Sequence, residues 1–131
     1  MVAIKCRMLR VKLKVNNALE LKRIGQNLSI LYAEDNDFLR KAFQGYLQKF
    51  FQRVEVSSDG LDALEAYKHS EYDIVITDIR MPQMNGLELA QEIKKINEFQ
   101  HIIIVSGDKD ITSYSEAIKI GVDGYILKPI E

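Results

Sequence analysis

A chain of 131 residues with 47% hydrophobic and 28% charged residues has the make-up of one ordinary globular domain, which excludes disordered and fibrous classes. One cysteine, Cys6, excludes an internal disulfide framework, and two histidines far apart in sequence, His69 and His101, disfavour a histidine-based metal site. The formal net charge of −1 conceals two opposed segments: residues 1–27 carry seven lysines and arginines against Glu20 alone, a net +6, and residues 28–131 carry 11 basic and 18 acidic groups, a net −7.

The basic segment is expected to be an N-terminal extension or linker. Val2, Ile4, Cys6 and Met8 alternate with Ala3, Lys5 and Arg7; the phase then slips, and Leu9, Val11, Leu13 and Val15 alternate with Arg10, Lys12 and Lys14. That period predicts one bulged strand or two short ones with a cationic face. Asn16 or Asn17 can cap a short helix through Leu19, Leu21 and Ile24 that Gly25 ends. No run approaches the roughly 18 apolar residues of a membrane span, and no signal-peptide core follows the first residues, so no membrane association and a cytoplasmic location are expected.

From Leu28 onward strands and helices alternate. Residues 28–33, 54–56, 74–77, 102–105 and 125–127 are short apolar runs of the kind buried on both faces of a parallel sheet. Between the first two, Phe38, Leu39, Ala42, Phe43, Tyr46, Leu47 and Phe50 form an amphipathic helical stripe, read as packing, that outweighs the roughly 1 kcal/mol cost of Gly45. Asp59 can cap a helix bearing Leu61, Leu64 and Tyr67, with His69 near its end as a partner for the helix dipole. Asn85 and Glu88 resemble a capping box ahead of Leu87, Ala90, Ile93 and Ile96. Asp110 can cap a helix with Ile111, Tyr114, Ala117 and Ile118, which Gly121 is placed to end. Five strands alternating with four helices imply right-handed crossovers and a doubly wound parallel sheet.

In such sheets function collects beyond the carboxyl ends of the strands. There the first strand ends in Glu34 and Asp35, the third in Asp78, the fourth in Ser106 and Gly107, and the fifth in Lys128 and Pro129. Each alone is a common cap, turn or surface residue; together they are a constellation. Clustered carboxylates raise one another's pKa values unless a cation neutralises them, and oxygen-only ligands favour a hard ion such as Mg2+. Lys128 supplies a point charge and Ser106 a hydroxyl for a phosphoryl group. This is equipment for phosphoryl transfer to a carboxylate.

Four segments in this order, ILYAEDND, IVITDIRMPQMNG, IIIVSGD and GYILKP, resemble the response-regulator receiver domain of bacterial two-component signalling. The resemblance covers residues 28–131 and implies a flavodoxin-like sheet ordered 2-1-3-4-5. It implies that Asp78 is the phosphoacceptor and that magnesium is held by Asp35, by Glu34 largely through water, by Asp78 and by the backbone carbonyl of Arg80. It also implies that Ser106 and Lys128 bind the phosphoryl group, that Tyr125 is the switch aromatic, and that a cis peptide precedes Pro129. Arg80 and Asp108 match positions that tune the lifetime of the phosphorylated state.

The implied partners are a sensor histidine kinase or phosphotransfer protein and a downstream effector. No turnover of an external substrate is expected. The alternatives are a phosphorylation-independent interaction or dimerisation module and, further off, an aspartyl-phosphate phosphohydrolase. The latter commonly carries a second aspartate two residues after the nucleophile, where this chain has Arg80. Nucleic-acid binding by the basic arm is disfavoured because no recognition helix accompanies it. The family continues after Lys-Pro with a further helix, for which residues 130–131 leave no room. The face this bares favours a homodimer, or residues 17–25 can take the missing helix's place; the plainer reading is a linker.

Overall fold

The computed structural model describes residues 18–107 and 111–128. The alternating segment expected over residues 2–15, the caps at Asn16, Asn17 and Asp110, the role expected of Asp108 and the cis peptide expected before Pro129 lie outside the described residues. The chain runs α1 (Ala18–Gly25), β1 (Ser29–Ala33), α2 (Asp37–Leu47), β2 (Arg53–Ser57), α3 (Gly60–His69), β3 (Ile74–Thr77), α4 (Gly86–Ile96), β4 (His101–Ser106), α5 (Ile111–Ile120) and β5 (Gly124–Leu127). All strand pairs are parallel, in the order β2-β1-β3-β4-β5. This is the flavodoxin-like topology expected from the sequence.

Local chemistry sets the helix starts. Asn36 accepts from the backbone N–H of Leu39, Asp59 from that of Asp62, and Asn85 and Glu88 form a reciprocal capping box. Gly121, at φ 91°, takes the left-handed conformation just beyond α5.

Alternation along each strand divides the core into two layers. Leu31, Ala33, Val75, Ile102 and Ile104 face α3, α4 and α5 through Ala63, Leu64, Ala90, Ile93 and Ala117. Ile30, Tyr32, Ile74, Ile76, Ile103 and Val105 face the other way, against Leu47, Phe50 and Phe51 at the end of α2. Aromatic rings climb this second layer, with Tyr32 edge-on to Phe43 at 5.1 Å and Tyr46 edge-on to Phe50 at 5.1 Å.

The packing stripe of α2 is shorter than its sequence pattern. Phe38 is 79% exposed, and Leu39 and Ala42 are exposed as well, because the first turns of α2 stand beyond the carboxyl edge of the sheet. Phe50 lies after the helix end and is nonetheless buried. Tyr114 and Ile118 on α5 are also exposed, so only Ala117 anchors that helix deeply.

The layer that holds Ile103 and Val105 also includes α1, whose Leu21 is 6% exposed, with Ile24 and Ile126 packed on the same cluster. The carbonyl of Gly25 accepts from the N–H groups of Leu28 and Gln52, tying the end of α1 to the start of β2. Leu21 and Ile24 thus bring α1 into this second core cluster.

Candidate phosphoacceptor site

Strand register brings the site together. Ala33 pairs with Thr77, so Glu34 and Asp78 leave the sheet side by side. Ser106 pairs with Leu127, so Lys128 leaves next to the end of β4, where its N–H donates to the Ser106 carbonyl at 2.8 Å. A parallel sheet points every strand the same way, which is why Glu34, Asp78 and Lys128, separated by 44 and then 50 positions in sequence, meet at one edge.

Glu34, Asp35 and Asp78 each bring a carboxylate oxygen into a cluster whose atoms lie within 4.8 Å of one another. Glu34 is 1% exposed, Asp78 is buried and Asp35 is exposed, so the cluster opens to solvent on one side. Lys128 Nζ donates to Glu34 Oε1 at 2.7 Å and to Asp78 Oδ2 at 3.1 Å. The other Asp78 oxygen, Oδ1, accepts from the Ile79 N–H at 2.7 Å. The Asp78 backbone is pinned too: its N–H donates to the Ala33 carbonyl, and its carbonyl accepts from the Thr77 hydroxyl at 2.8 Å.

Burial is the main influence pushing the Glu34 carboxyl above its ordinary pKa; the hydrogen bond from Lys128 pulls it down, and the Asp78 charge adds to the rise. Partial burial of Lys128 works against its charge, yet the Glu34 hydrogen bond and the Asp78 charge carry its pKa upward. Tyr32, buried beneath the cluster, has its hydroxyl pKa raised by burial and by the Glu34 and Asp78 charges. Among the described residues the Lys128 ammonium pairs with two of the three clustered carboxylates, Glu34 and Asp78, a site rich in hard oxygen donors. Such a set fits a divalent cation of the magnesium type, and these three residues are placed to hold a metal ion.

The other expected residues take separate positions. Ser106 is buried at the end of β4. Arg80 is exposed two residues beyond Asp78. Tyr125 lies on β5 with its ring edge-on to Tyr114 at 5.2 Å, and its buried hydroxyl has no hydrogen-bond partner among the described residues. His69 Nδ1 lies 2.7 Å from the Glu65 carbonyl at the end of α3, away from the site.

Two residues at the site went unnoticed in the sequence. Arg40 donates to the carbonyl of Glu34 at 3.0 Å, and a side chain at Gly86 would collide with the Asp78 carbonyl. The signal for Arg40 was its spacing from Asp37, three positions along a helix. Gly86 could be read only as part of the capping sequence.

Comparison with known proteins agrees with this geometry. Residues 30–131 match the response regulator receiver domain family. The chemotaxis protein CheY of Halobacterium salinarum is 33% identical over 102 residues, covering 78% of this chain and 85% of that protein. The transcriptional regulatory protein ZraR of Klebsiella oxytoca is 32% identical over 107 residues, and the match spans only 24% of its length. The N-terminal domain of WS1339 from Wolinella succinogenes superposes with a TM-score of 0.76 at 32% identity, covering 79% of this chain and 84% of that one. With its sheet order, its acidic edge and these likenesses together, the chain belongs to the response regulator receiver domain family.

Proposed function

We propose that this domain accepts a phosphoryl group from a phosphohistidine on a sensor kinase or phosphotransfer protein onto Asp78, and that the modification switches its contacts with a downstream effector. The observation that carries the reading is Lys128 Nζ, set between Glu34 and Asp78 at 2.7 and 3.1 Å at the mouth of a carboxylate cluster. Magnesium held by Glu34, Asp35, Asp78 and the Arg80 carbonyl would offset the charge of the incoming phosphoryl group.

The chain's own groups divide the remaining work. With Oδ1 engaged by the Ile79 N–H, Asp78 Oδ2 attacks phosphorus. A P–O bond forms as the P–N bond to the donor imidazole breaks, and the imidazole keeps the electron pair. Lys128 transfers its hydrogen bond from the carboxylate to a phosphoryl oxygen, and the Ser106 hydroxyl donates to another. Movement of Ser106 lets the Tyr125 ring follow inward. Hydrolysis of the acyl phosphate by water returns the carboxylate.

Incubation with Mg2+ and acetyl phosphate tests this by intact mass. An 80 Da gain, about the mass of one phosphoryl group, is expected in the parent and absent in Asp78→Asn. No gain in the parent, and no response to a beryllium fluoride mimic, would sink the proposal.

A further inference from the structure

The turn that presents Glu34 and Asp35 is gripped from behind by one side chain. Arg40 sits one turn into α2, and its guanidinium Nη1 donates to the Glu34 carbonyl at 3.0 Å and reaches the Asp35 carbonyl at 3.5 Å. Its Nη2 pairs with the carboxylate of Asp37. The Arg40 side chain is only 14% exposed, whereas Asp37 is 77% exposed. The same turn is braced by the Asn36 side chain, which accepts from Leu39, and by the Asn36 N–H, which points to Glu34 Oε2 at 3.3 Å. Arg40 thus joins the backbone of two clustered carboxylates to the rigid start of a helix. A planar guanidinium can serve both carbonyls and a carboxylate at once; an ammonium at that distance cannot.

We propose that Arg40 is a positioning residue for the divalent cation of the acidic site. It fixes the separation of Glu34 and Asp35 through their carbonyls, and Asp37 orients its guanidinium. The inference rests on the reading of this edge as a Mg2+-dependent phosphoacceptor site. Its sign is what makes it testable. Coulomb's law alone makes a cation near the cluster an opponent of Mg2+, so deleting Arg40 would tighten binding. Positioning requires the reverse, since residues that orient metal ligands typically contribute about 10- to 100-fold in metal affinity.

The test is calorimetric titration of the parent, Arg40→Met, Arg40→Lys and Asp37→Asn with MgCl2, with thermal unfolding of each in the absence of metal. Arg40→Met should weaken Mg2+ binding by about tenfold, Arg40→Lys by less, and Asp37→Asn by a few-fold. Phosphorylation of Arg40→Met by acetyl phosphate should be slow at limiting Mg2+ and return to within about twofold of the parent at saturation. Equal or tighter Mg2+ binding in Arg40→Met overturns the proposal. If that variant fails to fold, Asp37→Asn, altered only at an exposed carboxylate, decides it by the same criterion. A parent that takes the phosphoryl group while the variants bind Mg2+ normally removes the Arg40 role alone. A parent that binds Mg2+ and takes no phosphoryl group removes the phosphoacceptor reading instead.

Discussion

Gly86 lies so close to Asp78 that a β-carbon on it would stand 1.9 Å from the Asp78 carbonyl oxygen. The approach is held by the Gly86 N–H, which donates to the next carbonyl, that of Ile79, at 2.7 Å. Helix α4 therefore begins against the Asp78 backbone, and only glycine permits it. Gly86→Ala forces the two segments apart. A cost of about 1–3 kcal/mol is expected, as for other overpacked sites, measurable by urea unfolding. Asp78 should be displaced with its backbone, so phosphorylation by acetyl phosphate should also slow in the protein that remains folded.

The Glu34 carboxyl carries a stability cost at neutral pH. Its folded-state pKa is raised chiefly by burial, so the folded protein binds a proton more tightly there than the unfolded chain does. This group's penalty is fully present above its folded pKa and is relieved as pH falls toward the ordinary glutamate value of about 4.3. Glu34→Gln should consequently unfold at or above the parent's temperature in metal-free buffer at pH 7. The same variant should lose the stabilisation that Mg2+ gives the parent, about 1.4 kcal/mol at ten times the dissociation constant. Thermal scans with and without MgCl2 check both halves. Lys128 has the opposite linkage: its raised pKa contributes stability that is present below the ordinary lysine value of about 10.4 and lost as pH rises through the folded value.

What the sequence disclosed and what it concealed follow from the range of the forces involved. Strand runs such as residues 74–77, and caps such as Asp59 and Asn85, are local and were legible. Five polar residues at strand ends were legible because a parallel sheet has only one carboxyl edge. The exposure of Phe38 and Tyr114 was not, since periodicity tells which residues share a helix face and not how far the sheet extends beneath it. Arg40 and Gly86 act through backbone carbonyls, which every residue possesses, so no residue pattern marks their partners. The burial of Leu21 places α1 in one cluster with Ile103 and Val105, more than 80 residues away.

That burial predicts an asymmetry within one short helix. Leu21 is 6% exposed and Leu19, two residues before it, is 79% exposed. Leu21→Ala should destabilise the domain by about 2 kcal/mol or more, as expected when a buried leucine leaves a cavity. Leu19→Ala should change stability by no more than about 0.5 kcal/mol. Equal, small effects at the two positions in urea unfolding would show that α1 contributes no core, and amide exchange should agree, with residues 21–25 protected only in the parent and Leu19→Ala.

Tyr125 offers the last prediction because its hydroxyl is buried without a partner among the described residues, while its ring packs against Tyr114 at 83°. An unsatisfied buried hydroxyl costs about 1–3 kcal/mol, and removing it leaves the ring packing intact. Tyr125→Phe should therefore match or exceed the parent in thermal stability, whereas Tyr125→Ala should lose several degrees with the ring contact. If the ring reports phosphorylation, Tyr114 must feel it, since the two rings share an edge. Aromatic proton spectra of Tyr114 should shift when beryllium fluoride and Mg2+ are added to the parent. The shift should persist in Tyr125→Phe, which keeps the ring, and vanish in Tyr125→Ala. A Tyr114 signal that moves equally in Tyr125→Ala would mean that α5 senses the phosphoryl group by another route.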